Sequence, residues 1–176
     1  MMPKSTGRRL GQWATLLAVV TFVISPAPGV LGGQSGEPRA TADGHPIPLA
    51  EVSSLYCHDL AYPLIRCFGD EPAMRADERQ AAATAPAGLS ITVWVTWYRD
   101  AGYSGPSFDA AYSWPDLATI NWSNQISSFR SYSGANPHWF FLPNYAGGVS
   151  VSWGVNAQVS YVGATYNDRF ESVTVP

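Results

Sequence analysis

From Ile91 the chain alternates between apolar and polar positions. In the octet Ile91–Tyr98 (ITVWVTWY), Ile91, Val93, Val95 and Trp97 fall on one face of an extended chain, and Thr92, Trp94, Thr96 and Tyr98 on the other. Further on, Val149, Val151, Trp153 and Val155 share one face while Ser150, Ser152, Gly154 and Asn156 share the opposite one, which predicts a half-buried antiparallel strand. Turn-forming clusters interrupt the pattern at Asp100–Gly102, Gly105–Pro106, Ser133–Pro137, Pro143–Asn144 and Asn167–Asp168. Residues 91–176 are therefore expected to form an all-β unit of 86 residues, a size suited to a compact sandwich.

The preceding segments differ in texture. Residues 84–90 (TAPAGLS) break the pattern, and 71–83 (EPAMRADERQAAA) predict one helix, with Asp70 as its cap and Pro72 in its first turn. Residues 53–70 hold two short apolar runs around a proline-containing turn, with Cys57 and Cys67 ten positions apart. A CxxC spacing is absent and His58 is a single neighbour, so a metal or redox pair is disfavoured. A Cys57–Cys67 disulfide stapling a small hairpin is expected over residues 51–90. Residues 34–50 are polar and rich in Gly and Pro, and predict a flexible linker. Residues 1–33 have the layout of a signal peptide: Lys4, Arg8 and Arg9, then the twelve-residue stretch Trp13–Ile24, then a small-residue region with cleavage expected near Gly32 or Gly33. The Arg8–Arg9 pair is compatible with a twin-arginine route. A secreted location, no membrane anchor after cleavage, and a disulfide-permissive compartment follow from that layout.

Composition narrows the class. Aromatic residues make up 13% of the 176 residues and charged residues another 13%, with 16 Gly and 14 Pro, which suits a turn-rich sheet protein and excludes a coiled coil or a disordered tail. Without the three basic residues of the N-terminal segment, seven Arg face thirteen Asp and Glu, a net charge of about −6. Nucleic acid and anionic lipid are thereby disfavoured as partners, while a cation is not.

The β unit contains an internal repeat. Tyr98-Arg-Asp-Ala-Gly-Tyr103-Ser-Gly105 has the spacing aromatic, four residues, aromatic, one residue, Gly, and Phe140-Phe-Leu-Pro-Asn-Tyr145-Ala-Gly147 repeats it 42 positions later. Ser123-Asn-Gln-Ile-Ser-Ser128 recurs as Asn167-Asp-Arg-Phe-Glu-Ser172 at an offset of 44. Two rings can fold over a hairpin turn, the Gly permits close approach or positive φ, and the hydroxyl and amide side chains can satisfy turn backbone. Each half then suggests a four-stranded Greek key, and two keys a β-sandwich.

On these motifs, residues 91–176 resemble the βγ-crystallin domains, including their secreted microbial members; residues 34–90 lie outside the resemblance. In calcium-binding members the two hexapeptides lie side by side and build two sites. The resemblance implies that Asn124 and Asp168 offer side-chain oxygens, Ser127 its hydroxyl, and Gln125 and Arg169 their backbone carbonyls, with the carbonyls of Arg99 and Phe141 joining. The chain departs from the pattern at Ser123, where Asn or Asp is usual, and at Glu171, where Ser or Thr is usual. Glu171 would act either as a stronger ligand or as a group that reaches too far, and Arg169 stands close enough in sequence to pair with it.

Other chemistry finds little support. His45, His58 and His138 have no ligand or catalytic spacing, and no GxSxG elbow occurs. Asp109, Asp116 and Asp168 lie in no arrangement beyond that of solvated loop acids. No enzyme is therefore expected. Trp94, Trp97, Trp114, Trp122, Trp139 and Trp153 serve either as core or as a platform for a polysaccharide or an extracellular protein. The function expected is a secreted binding or structural module that takes calcium weakly. The alternatives are an extracellular protease inhibitor or toxin-like protein on the same fold, or a polysaccharide or cell-wall binder.

Overall fold

The computed structural model describes residues 36–86 and 92–176; the expected signal segment 1–33 and the first residue of the expected β unit, Ile91, lie outside them. The strands run in chain order as β1 (Arg39–Ala42), β2 (His45–Ile47), β3 (Tyr56–Ala61) and β4 (Leu64–Phe68), then helix α1 (Glu71–Thr84). They continue as β5 (Val95–Asp100), β6 (Ser104–Ala110), β7 (Ser128–Ser131), β8 (His138–Phe140), β9 (Ser150–Val151), β10 (Gln158–Val159) and β11 (Ser172–Thr174). Among the described residues they form an eight-stranded sheet, β10-β7-β5-β6-β3-β4-β1-β2, and a three-stranded sheet, β11-β8-β9.

The C-terminal half exchanges chain between its sheets. Late strand β10 pairs antiparallel with β7 in the large sheet, and Trp114, from the earlier part, bridges Val173 of β11 in the small one. Neither sheet can thus be completed by one half of the repeat. Between them lies an aromatic core. Trp97 stacks on Phe108 with centroids 4.9 Å apart and meets the Trp122 and Trp139 rings edge to face at 6.2 and 6.0 Å. Phe129 and Phe170 flank Trp139 at 5.1 and 5.2 Å. Edge-to-face contact brings a positive ring edge to a negative face, and each such pair adds about 0.5–1.5 kcal/mol beyond area burial. Trp97, Trp114, Trp122 and Trp139 are all fully buried, which assigns most of the tryptophans to the core.

Several sequence expectations change here. Residues 39–47, expected within a flexible linker, form β1 and β2. β1 lies parallel on β4, so its backbone groups find partners along an edge that would otherwise be open, and Ala40 is buried there. The hairpin β3–β4, antiparallel with Cys57 opposite Cys67 and the two joined by a disulfide, is no appendage. β3 lies parallel to β6 through the pairs Tyr56–Ser107, Cys57–Phe108 and His58–Asp109, so the eight strands are one sheet. The described residues accordingly form one compact unit.

Regular strand starts at Val95, and both of its faces are buried: Val95 and Trp97 belong to the hydrophobic core, and Thr96 and Tyr98, which alternate with them, are equally enclosed. The expected strand around Val151 shortens to Ser150–Val151, leaving Val149 and Val155 63% and 66% exposed. β8 presents only Trp139 and Phe140 as pairing partners, so nothing extends the ladder.

Helix α1 forms as its signals predict: the Asp70 carboxylate accepts the Ala73 N–H, and Pro72 sits in the first turn. It buries only one residue, Met74. Charge completes its docking: Arg75 reaches the wholly buried Asp109 of β6, and Asp77 accepts from Arg66 at 2.7 Å and pairs with the buried His58 ring at 2.9 Å. Burial lowers the His58 pKa, against the pull of Asp77, so the ring favours its neutral form. Burial likewise pushes Asp109 well up, with Glu78 adding to the effect and Arg75 opposing it.

Candidate functional site

The repeat produces matching local structures. In the first, the Tyr98 and Tyr103 rings meet at 5.8 Å; in the second, Phe140 and Tyr145 meet at 5.6 Å. Both second aromatics hold positive φ, 61° for Tyr103 and 58° for Tyr145. The glycines two residues on also have positive φ, +74° at Gly105 and +90° at Gly147, and a Cβ there would press on Asp100 and Leu142 respectively, residues 42 apart.

The last serine of each hexapeptide ties its fold-over. The Ser128 hydroxyl donates to the Asp100 carbonyl at 2.6 Å and accepts the Tyr103 N–H at 3.1 Å. Ser172 donates to the Leu142 carbonyl at 2.7 Å and accepts the Tyr145 N–H at 3.1 Å.

The hexapeptide bends meet each other. Asn124 N–H donates to the Phe170 carbonyl at 3.0 Å, and Asp168 N–H donates to the Ile126 carbonyl at 3.3 Å. This is one bond and its counterpart under the 44-residue offset. Asn124 and Asp168 both adopt left-handed backbone, φ 56° and 54°, which Asn and Asp tolerate better than most residues. Each bend also holds its own fold-over strand: Ser127 N–H donates to the Tyr98 carbonyl at 3.1 Å and Glu171 N–H to the Phe140 carbonyl at 2.9 Å.

The expected ligand residues thus sort into two pairs of opposed side chains. In the first, Ser127 directly follows Ile126, whose carbonyl accepts the Asp168 N–H, and the Asp168 carboxylate accepts from Asn167 Nδ2 at 2.6 Å. Partial burial raises the Asp168 pKa and the Asp100 carboxylate adds to it, while the Asn167 hydrogen bond opposes. The backbones of Gln125 and Arg99 border this pair: Gln125 precedes Ile126 in the bend, and Arg99 follows Tyr98, whose carbonyl binds Ser127. In the second pair, Glu171 faces Asn124 and Ser123, accepting from Ser123 Oγ and, at 2.6 Å, from Asn124 Nδ2. Arg169 does not pair with Glu171: its guanidinium donates to the Thr165 carbonyl at 3.1 Å and lies 5.5 Å from the Phe141 ring centroid. A stacked guanidinium keeps its hydration on the outer side while covering apolar surface.

Sequence inspection does not single out the neighbours of the first pair. The Arg99 guanidinium donates to Gln125 Oε1 and, at 3.1 Å, to the hydroxyl of Ser53, which is buried in the short 3-10 helix Leu49–Ser54. Asn121, also left-handed at φ 57°, donates to the same hydroxyl at 3.0 Å and to the Ala50 carbonyl at 2.9 Å. The upstream segment is therefore hydrogen-bonded to the side chains beside the bend. Ser53, one of two adjacent serines between Val52 and Leu55, carries no local signal of this.

The donor chemistry is that of hard oxygen. Among the described residues no three His, Cys, Asp or Glu side chains gather closely enough to hold a metal, so any cation at the bends would rest on hydroxyl, carbonyl and single carboxylate oxygens. Calcium accepts such mixed sets at irregular geometry. The first pair, with an exposed carboxylate, a hydroxyl and adjacent turn backbone, fits calcium. In the second, donor hydrogens already occupy the carboxylate.

No protein-family model and no curated protein matches the chain. Among solved structures it is similar to a βγ-crystallin domain from Flavobacterium johnsoniae, at 29% identity and TM-score 0.42 over 48% of this chain and 94% of that one. It is also similar to a double mutant of a βγ-crystallin domain from Clostridium beijerinckii (26%, TM-score 0.41, 48% and 97%). A third is a βγ-crystallin from an archaeon (28%, TM-score 0.40, 46% and 94%). About half of this chain lies outside each match.

Proposed function

We propose that the C-terminal half is a duplicated Greek-key unit of βγ-crystallin type, acting as a secreted, non-catalytic binding module that takes calcium weakly through its paired bends. The observation that carries this reading is the reciprocal bonding of the bends, Asn124 to Phe170 and Asp168 to Ile126, which sets Ser127, the residue after Ile126, beside the Asp168 bend. Ser127 and Asp168 would hold the ion by side-chain oxygens and Gln125 and Arg99 by backbone carbonyls. Bound calcium would neutralise Asp168 and cross-link two segments distant in sequence. Asp168 and Asp100 repel each other, and a cation relieves that repulsion. Export is supported by the Cys57–Cys67 disulfide.

With one carboxylate in the set, affinity on the order of 10⁻⁴ to 10⁻³ M is expected. Binding to the folded state alone then adds about 1 kcal/mol at millimolar calcium. Calorimetry on chelator-stripped protein, beside Asp168→Ala and Ser127→Ala, is the test. A heat signal weakened by either substitution, with circular dichroism unchanged, is the expected result. Absence of both heat and a melting shift in the unsubstituted protein overturns the proposal.

A further inference from the structure

The two residues that depart from the repeat pattern, Ser123 and Glu171, touch each other. Ser123 donates its hydroxyl hydrogen to one oxygen of the Glu171 carboxylate, and Asn124 Nδ2 donates to the other at 2.6 Å. Asn124 also donates to Ser123 Oγ at 3.2 Å, closing a three-membered network between bends 47 and 48 residues apart. Under the 44-residue offset the counterparts of Ser123, Asn124 and Glu171 are Asn167, Asp168 and Ser127. The carboxylate has thus changed sides: it stands on the second position of the bend in one pair and on the fifth position in the other.

That change has a chemical consequence. Both Glu171 oxygens meet donor hydrogens from the opposite bend, and the amide presents Nδ2 to that carboxylate. A cation needs lone pairs at that point, whereas a hydroxyl hydrogen and an amide NH₂ direct positive charge there. Charge-assisted hydrogen bonds to a carboxylate are about twice as strong as neutral ones, so the network cross-braces the bends by itself.

We propose that the duplicated site is divided in labour: the Ser127–Asp168 pair is the one cation seat, and the Ser123–Asn124–Glu171 network is a permanent, ion-independent latch. The first clause rests on the calcium reading above; the latch does not. One divalent ion per chain follows, with Glu171 acting as a positioning residue and no ligand.

Two measurements on the full chain keep these separate. Melting in chelator reads the latch: Glu171→Gln, which retains volume but pairs with only one donor well, should lower Tm by about 5 °C, and Asp168→Asn should not lower it. Ser123→Ala should lower Tm as well, and combining it with Glu171→Gln should cost less than the two drops added together. Equal Tm for Glu171→Gln and the unsubstituted protein in chelator overturns the latch, whatever calcium does. Calorimetry with calcium chloride reads the division. One equivalent, abolished by Asp168→Ala and retained by Glu171→Gln, supports it. Two equivalents, or one that vanishes with Glu171→Gln, overturns it and makes Glu171 a ligand. No binding with a Tm drop confined to Glu171→Gln and Ser123→Ala overturns the calcium reading and the seat, and leaves the latch supported.

Discussion

Asp59 ties the upstream hairpin to the aromatic sandwich, and it should give the protein an unusual dependence on pH. Its carboxylate is fully buried on β3 and accepts the Ala111 N–H at 2.6 Å and the Trp114 Nε1–H at 2.9 Å. Burial pushes its pKa from 3.8 up to about 7, with the hydrogen bonds from Ala111 and Trp114 opposing. The folded protein therefore holds a proton on Asp59 over an interval in which the unfolded chain has released it. The associated stability is fully present below about pH 4 and is lost as pH rises towards 7. At about 1.4 kcal/mol per pH unit, the interval corresponds to roughly 4 kcal/mol, of which about 3 kcal/mol falls between pH 5 and pH 8.

Asp59→Ala removes this titration and leaves two buried N–H donors without a partner, at about 1–3 kcal/mol each. Urea unfolding of both proteins at pH 5, 6, 7 and 8 is the assay. The variant should be the less stable at pH 5, and the gap should close by about 3 kcal/mol by pH 8. Asp109, raised by burial, and His58, lowered by burial, also titrate with folding, but they are present in both proteins and cancel in the difference. A gap that stays constant across this range would refute the reasoning.

Replacing Cys57 and Cys67 by Ala opens a loop closed at a sequence separation of 10 and should cost about 3 kcal/mol, read by chemical unfolding with and without reductant. The double variant should be insensitive to reductant. Trp97→Ala removes the ring that contacts Phe108, Trp122 and Trp139 together, and should cost about 3–5 kcal/mol and lose near-ultraviolet dichroism. Ser53→Ala strips an acceptor from Arg99 and Asn121 at once; a loss of about 1–2 kcal/mol by urea unfolding is expected. Asn121→Ala in the same background should add less than it does alone, because the two share that bond.

Much of the C-terminal half is legible in its residues. Alternation marks Val95–Tyr98 as strand, and the aromatic and glycine spacing marks the two fold-overs. Asp70, Pro72 and the Ala-rich run mark α1. These signals are local: each depends on backbone preference or on side chains a few residues apart. The hexapeptides are legible as bends for the same reason, since Asn and Asp accept the left-handed backbone that Asn124 and Asp168 adopt. Local signals mislead where a partner is distant. Residues 39–47 read as linker because they are short and polar, yet they become strand once β4 offers an edge. Val149 and Val155 read as buried by alternation, yet regular strand there is limited to Ser150–Val151 and both valines are exposed.

By itself, then, the sequence determined which stretches extend, which turn, which helix caps, and that two motif spacings recur. Tertiary structure alone decided that the doubled bends bond reciprocally, that β3 joins β6 to merge hairpin and sandwich, and that Glu171 faces Ser123 while Arg169 turns away to Phe141. The physical reason is chain separation. A contact between residues nearly fifty positions apart carries a loop-closure cost that no single pair of side chains offsets, so it exists only when the whole aromatic core forms with it.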